Sequence, residues 1–172
     1  LVEGLDYELT LGNNRDMGYC RVIITGIGAY KDIDIIEKAD ETSYEGMTEE
    51  ELNLIENTDN AKGPIFVIRP LGTTLDTLTP EKNAVEVTWE PQTKKMSVKH
   101  ITGYQFQLST SKNFDKGKTK TVTVTGYDNT SEKVDDLEEN TEYFVRIRTY
   151  FECVDGFKSY STWSDTDTVT TK

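Results

Sequence analysis

The chain has 172 residues, of which 35% are hydrophobic and 10% aromatic, so it can bury a core as one large domain or two small ones. Its net charge of −12 argues against binding to nucleic acid, which needs clustered lysine and arginine, and against attraction to an anionic membrane surface. No run of about 18 apolar residues occurs, so we expect no membrane insertion. No signal peptide is visible either, which says little about export.

The first segment of the chain is predicted to be a β-hairpin. Apolar residues alternate with polar ones in two runs, which are Tyr7, Leu9 and Leu11, and then Cys20, Val22 and Ile24. The residues between these runs are rich in glycine and asparagine, which favour turns. A third strand is predicted at 65–68, where a short apolar run stops before Pro70.

An acidic insertion at 31–62 separates the hairpin from the third strand. It holds eleven acidic residues and three lysines, and therefore most of the excess negative charge. Thr48 and Glu51 form a capping box, which predicts a short helix at about residues 49–57. Asp32 and Asp34 could contribute to a Ca²⁺ site, although the spacing of an EF-hand is absent. We favour a solvated acidic excursion and leave Ca²⁺ binding open.

The pattern changes from residue 71 onward to seven short strands separated by turn signals. The alternating runs are Val85, Val87 and Trp89; Tyr104, Phe106 and Leu108; Val122 and Val124; Tyr143, Val145 and Ile147; and Thr168 to Thr171. Regularly spaced short strands of this kind are typical of an antiparallel β-sandwich. We therefore predict an all-β chain of two units, at about 1–70 and 71–172, joined near Gly72.

Residues 71–172 resemble a fibronectin type III domain over its whole length. The resemblance rests on 85–89 for strand B, on 103–108 for strand C, and on 137–149, where Tyr143 is similar to the tyrosine that opens strand F. It implies a non-catalytic β-sandwich. The amino-acid sequences of 102–111 and of 160–164 are similar to those of fibronectin type III domains in large extracellular proteins of clostridia-like Gram-positive bacteria. This resemblance implies a secreted or cell-surface location.

The first unit is similar to an Ig-like repeat module of the same class of protein. The matching stretches are 5–10, 22–30 and 63–68. The first strands of such a module are missing here, so we expect a partial Ig-like β-sandwich interrupted by the acidic insertion. Unpaired strand edges invite association, including with a second copy.

Residues 160–164 are similar to the Trp-Ser-x-Trp-Ser box of cytokine-receptor fibronectin modules, with tyrosine in the first place. If Tyr143, Val145 and Ile147 face inward, the alternate residues of the same strand face outward, namely Phe144, Arg146, Arg148 and Tyr150. The resemblance implies that Tyr160 and Trp163, placed on the following strand, stack with Arg146 and Arg148. We favour this structural ladder over an exposed aromatic platform for a glycan or protein.

The fibronectin resemblance places the B–C loop (91–100) and the F–G loop (151–159) at one end of the sandwich. Together they would form a small basic and aromatic patch of Lys94, Lys95, Lys99, His100, Phe151, Phe157 and Lys158. Binding residues of a sandwich usually lie on such loops. The patch is our candidate binding site, although ordinary solvated loops are the favoured interpretation.

The sequence carries no enzyme motif. Any nucleophile–histidine pair would depend on His100, the single histidine, which lies in a loop that is normally exposed. Cys20 and Cys153 are interpreted as free thiols, and no cofactor or metal site is predicted. We therefore expect a non-catalytic extracellular spacer whose partners are neighbouring domains of its parent protein. An adhesin-like module that binds a protein or glycan is the alternative, and a hydrolase is a distant third.

Overall fold

The computed structural model describes residues 2–11, 17–31, 65–96, 98–153 and 156–172. The chain divides into two compact units, Leu1–Ile68 and Arg69–Lys172. The helix predicted at 49–57 and the two aspartates considered for Ca²⁺, Asp32 and Asp34, lie outside the described residues.

The described part of the first unit is a three-stranded antiparallel sheet. Its strands, in the order in which they pair, are β1 (Tyr7–Leu11), β2 (Gly18–Gly26) and β3 (Ile65–Ile68). The hairpin register places Leu9 opposite Ile24. A 3₁₀ turn at Gly28–Tyr30 follows β2. No second sheet that would close an Ig-like sandwich is seen among the residues described for this unit.

The second unit is a β-sandwich of two antiparallel sheets. Its strands are β4 (Leu75–Pro80), β5 (Val85–Trp89), β6 (Gly103–Ser109), β7 (Thr119–Thr125), β8 (Ser131–Val134), β9 (Glu142–Glu152), β10 (Lys158–Tyr160) and β11 (Asp167–Thr170). The smaller sheet has the order β4-β5-β8, and the larger has the order β10-β9-β6-β7, with β11 also pairing with β9.

Alternating apolar residues from both sheets form the core of this unit. Trp89 of the smaller sheet lies with its ring centroid 5.2 Å from that of Tyr104 and 5.7 Å from that of Phe106, both in the larger sheet. Val145 and Ile147 of β9 are fully buried beside them. Burying a side chain of this size stabilises the fold by roughly 1.5–3 kcal/mol, so this interface holds the two sheets together.

The tyrosine predicted to open strand F forms the expected corner. The hydroxyl of Tyr143 accepts a hydrogen bond from the backbone N–H of Glu138 at 3.0 Å. Asp136 and Asn140, on either side of Glu138, both adopt left-handed backbone conformations, with φ of 58° and 49°. Short polar side chains tolerate this conformation better than others, which explains their positions in the corner. The bond ties the connection before β9 to the start of that strand.

The structure corrects two expectations for this unit. Its described residues form eight strands instead of the seven predicted, because the last strand is interrupted and forms β10 and β11. Tyr150, predicted to face outward, is only 2% exposed. Gly103 lies opposite Tyr150 and has no side chain, so the tyrosine ring covers its backbone and the Tyr150 hydroxyl lies 3.1 Å from Thr125 Oγ1.

Candidate functional site

Two polar rungs cross the outer face of the larger sheet, which is the face opposite the core. The register of β6 and β9 places Arg148 opposite Gln105 and Arg146 opposite Gln107. Each arginine donates two hydrogen bonds, from Nε and Nη2, to one glutamine Oε1. The distances are 2.9 and 2.6 Å for Arg148, and 3.0 and 2.7 Å for Arg146. This forked contact fixes the plane of each guanidinium.

Both rungs continue onto β7. Gln105 Nε2 donates to Thr123 Oγ1 at 3.3 Å, and Gln107 Nε2 donates to Thr121 Oγ1 at 3.2 Å. These four residues were not predicted to belong to the site. The alternation in β6 and β7 could have identified them, because it places glutamine and threonine on the same face as the arginines once the strand register is known.

Aromatic rings and guanidinium groups alternate in a stack on top of these rungs. The Arg146 Cζ lies 3.8 Å from the ring centroid of Phe114 and 4.4 Å from that of Trp163. The Arg148 Cζ lies 4.3 Å from the centroid of Trp163 and 3.6 Å from that of Tyr160. Each cation–π contact contributes ~0.5–2 kcal/mol. The ring of Trp163 contacts both guanidinium groups and therefore links the two rungs.

The stack also changes the electrostatics of its arginines. Burial lowers the pKa of the Arg146 guanidinium, because the rings and the sheet remove water from the charge. An arginine in a protein nonetheless stays protonated at neutral pH. The positive charge is therefore held under the rings, where the hydrogen bonds to Gln107 and the two aromatic faces replace its hydration.

Trp163 lies in an interruption of the sheet, so the prediction that it lies on the strand after β9 is wrong. Residues 161–166 separate β10 from β11, and two serines continue the hydrogen bonding to β9 there. The N–H of Ser161 donates to Thr149 O at 3.1 Å and that of Ser164 to Ile147 O at 2.8 Å. In return, the Oγ of Ser161 accepts a hydrogen bond from the Thr149 N–H, and the Oγ of Ser164 accepts one from the Ile147 N–H, both at 3.0 Å. The serines therefore hold the interruption against β9 and place Trp163 between the arginines.

Phe114 was not expected in this site, because it lies in the loop between β6 and β7. Its backbone has φ of 55°, a left-handed conformation that is unfavourable for a bulky residue. Its N–H donates to Ser111 O at 3.0 Å, which closes the turn. No local sequence signal distinguishes this phenylalanine from an ordinary loop residue. Only the fold shows that its ring covers Arg146.

The structure brings some residues of the predicted loop patch together. The Lys99 ammonium lies 5.4 Å from the ring centroid of Phe151, which itself is buried. The Lys158 ammonium lies instead against the sheet, 3.5 Å from a Glu152 carboxylate oxygen and 5.5 Å from the ring centroid of Tyr150. Of the other members, Lys94 and Lys95 are exposed and Phe157 is half-buried.

His100 is half-buried instead of freely exposed. Its ring stacks on Tyr127 with a centroid distance of 4.0 Å and an interplanar angle of 11°. Cys153 is half-buried. A shallow cavity of about 260 Å³ lies elsewhere, lined by Thr74, Leu75, Ser164, Asp165, Thr166 and Asp167. Among the described residues no group of acidic, histidine or cysteine side chains is arranged to hold a metal ion.

No helix in the described part of the chain has the length and apolar character needed to cross a membrane.

A family model described as "Fibronectin type III domain" matches residues 70–166, a span longer than half of the chain. The chain belongs to the fibronectin type III family. This confirms the fibronectin type III resemblance over residues 70–166. None of the curated proteins searched shows a significant match to the chain.

Several solved structures are similar to the fibronectin type III domain of this chain. The fn3 domain of human contactin 1 is 18% identical, with a TM-score of 0.48 and coverage of 62% of this chain and 87% of that one. The FN5 domain of Drosophila Lar is 17% identical, with a TM-score of 0.41 and coverage of 60% and 97%. The fn3 domain of human collagen alpha-1(XX) is 20% identical, with a TM-score of 0.43 and coverage of 60% and 85%.

Proposed function

We propose that the chain is a non-catalytic spacer of a secreted or cell-surface protein, in which compact β units separate the neighbouring domains of the parent. Fibronectin type III domains are typical of scaffold or spacer modules and are common in extracellular and cell-surface proteins. The likeness of residues 1–70 to a partial Ig-like module, and that of 102–111 and 160–164 to clostridia-like surface proteins, supports a bacterial, Gram-positive source.

The packing of β9 carries this proposal. Its inner side chains, Val145 and Ile147, are fully buried in the core. Its outer side chains, Arg146 and Arg148, are held by glutamine forks and aromatic rings. A strand that is packed on both faces opens only when both sets of contacts break together. This favours a cooperative unit that resists pulling and proteolysis, as a spacer requires.

Single-molecule force spectroscopy tests the spacer function on the full chain, tethered through its two ends. The second unit, Arg69–Lys172, should rupture in one step that releases about 35 nm, because an extended chain spans ~3.4 Å per residue. Trp163→Ala should lower the rupture force, whereas Thr110→Ala, at an exposed position, should leave it unchanged. A gradual extension without a rupture step would contradict the proposal.

An adhesin-like binding module is the second candidate, and one observation favours it. Val98, next to the Lys99–Phe151 pair, is 73% exposed, which places an apolar side chain and a cation together at the loop end. Such a surface suits a protein or carbohydrate ligand. Protein and glycan arrays probed with the full chain test this candidate. A ligand lost in Val98→Ser and Lys99→Glu but kept in Thr110→Ala supports it, and arrays without any ligand count against it.

A further inference from the structure

β7 forms one edge of the larger sheet. Within the described part of the chain it pairs only with β6. Two hydrogen bonds at the ends of β7 show which of its residues direct their backbone groups toward β6. Thr110 N–H donates to Lys118 O, and Gly126 N–H donates to Thr102 O. Alternate residues of an antiparallel strand direct their backbone groups to opposite sides, so the even-numbered residues between Lys118 and Gly126 face β6. The backbone N–H and C=O groups of Thr121 and Thr123 therefore point away from β6.

The open stretch of this edge is short and its two ends are closed. At one end the Asn129 side chain donates to Thr125 O. At the other end the Lys118 N–H donates to Asp115 O, which forms the turn that precedes β7. Between them, Thr121 and Thr123 are exposed, and their four backbone groups have no partner among the described residues. An unpaired row of this kind is a template for an additional strand.

The hairpin that carries this edge is basic, although the protein as a whole is acidic. Residues 112–120 contain four lysines and one aspartate, in a chain with a net charge of −12. The aspartate, Asp115, already accepts a hydrogen bond from Ser111 Oγ at 2.7 Å. Lys112, Lys116 and Lys118 are exposed, and no described carboxylate lies within salt-bridge distance of their ammonium groups.

We propose that the edge of β7 is a docking site for an extended, acidic peptide segment of a partner protein, which adds to the larger sheet as a further strand. The backbone groups of Thr121 and Thr123 would supply the hydrogen bonds, as in strand addition generally. The adjoining lysines would select a segment with glutamate or aspartate side chains. A second copy of β7 fits less well, because it would bring further lysines and no complementary charge.

The test uses the full chain and a short labelled peptide of alternating valine and glutamate, followed by fluorescence anisotropy. The matched peptides carry lysine in place of glutamate, or N-methyl groups on alternate amides. We expect binding of the glutamate peptide, a loss of at least about tenfold with lysine, and a similar loss with N-methylation. We also expect weakening at about 0.5 M salt, because the exposed charges are screened.

Variants of the chain locate the site. The double variant Lys116→Glu with Lys118→Glu should weaken binding of the glutamate peptide by about tenfold. The control Lys82→Glu with Lys172→Glu makes an equal charge change elsewhere and should alter that binding by less than about twofold. Thr121→Pro removes one outward N–H and leaves the β6 pairing intact, because proline is tolerated where an edge N–H faces solvent. It should weaken binding by at least about fivefold, and Thr121→Val should not. Thermal melts identify any variant that fails to fold, and the N-methylated peptide tests the same backbone bonds on the unaltered chain.

Three results would overturn the proposal. The first is the absence of binding. The second is binding that N-methylation and Thr121→Pro leave unchanged, which would indicate a purely electrostatic surface, such as one for a sulfated polysaccharide. The third is self-association of the chain that Thr121→Pro abolishes, measured by sedimentation, because the edge would then belong to a second copy. Failure of peptide binding would leave the spacer function intact, since that function is tested by force and not by ligand.

Discussion

The two faces of the larger sheet are packed by different chemistry, although the same strands supply both. The inner face buries Phe106 and Ile147 against the smaller sheet, and its energy comes from apolar area removed from water. The outer face holds Arg146 and Arg148 between aromatic rings and glutamine oxygens. The inner face requires only that apolar residues alternate. The outer face requires a specific strand register and the correct path of two connecting segments, so it is more sensitive to geometry.

The largest expected effect lies on the inner face. Phe106→Ala removes a fully buried ring that contacts Trp89, so we expect a loss of about 3–5 kcal/mol in the free energy of unfolding of the second unit. Both tryptophans of the chain, Trp89 and Trp163, lie in this unit, so their fluorescence during urea denaturation reports on it alone. Thr110→Ala, at an exposed position, should change this energy by less than about 0.5 kcal/mol. An equal loss in both variants would contradict the description of the core.

The next effect concerns the centre of the outer stack. Trp163→Ala removes the ring that contacts both guanidiniums, and we expect a loss of about 2–3 kcal/mol from its two cation–π contacts and its buried area. Trp163→Phe keeps a ring in the same place and should lose less than half of that. Trp89 remains as the fluorescent reporter in both. A loss as large as that of Phe106→Ala would mean that the two faces do not differ in strength.

A smaller effect is expected for the fork beneath the stack. Arg148→Lys keeps the charge but loses the planar contact with Gln105, so we expect a loss of about 1–2 kcal/mol. A double-mutant cycle with Gln105→Ala should show coupling of about 1 kcal/mol, because the two residues share one contact. Additive losses would show that the fork orients neither side chain. Chemical denaturation of the four proteins supplies the measurement.

The smallest expected effect concerns Tyr104, on the inner face, and depends on pH. Burial raises the pKa of the Tyr104 hydroxyl, which donates to Tyr127 O and accepts the Gln92 N–H. The folded chain therefore keeps this proton to a higher pH than the unfolded chain does. The stability that this proton contributes is fully present below the ordinary tyrosine pKa of 10.0 and is lost as the pH rises through the folded pKa. Tyr104→Phe should flatten this alkaline decline in denaturation curves, and an unchanged slope would contradict it.

The strands and the core of the second unit could be predicted because their signals are local. Trp89, Tyr104 and Tyr143 all occur in alternating runs, and all three are buried. The outward position of Tyr150 was predicted from the same alternation and was wrong. Its burial depends on Gly103, which lies opposite it on another strand, and the alternation within β9 contains no information about that partner.

The outer face could be predicted only in part for the same reason. The resemblance around residues 160–164 pointed to Trp163 and the arginines. It did not indicate the glutamine forks, which depend on the register between β6 and β9. It also did not indicate Phe114, which reaches Arg146 from a loop through an unfavourable backbone conformation. The predicted loop patch and the spacer role remain predictions.

By itself, the sequence determined the all-β class of the second unit, its main core residues and its tyrosine corner, because apolar alternation and short motifs act over a few neighbouring residues. The tertiary structure decided which side chains share the outer face, where the last strand is interrupted, and which edge of the larger sheet has backbone groups without a partner among the described residues. These features depend on strand register and on contacts between distant segments. Their energies come from pairs of residues that no local pattern connects.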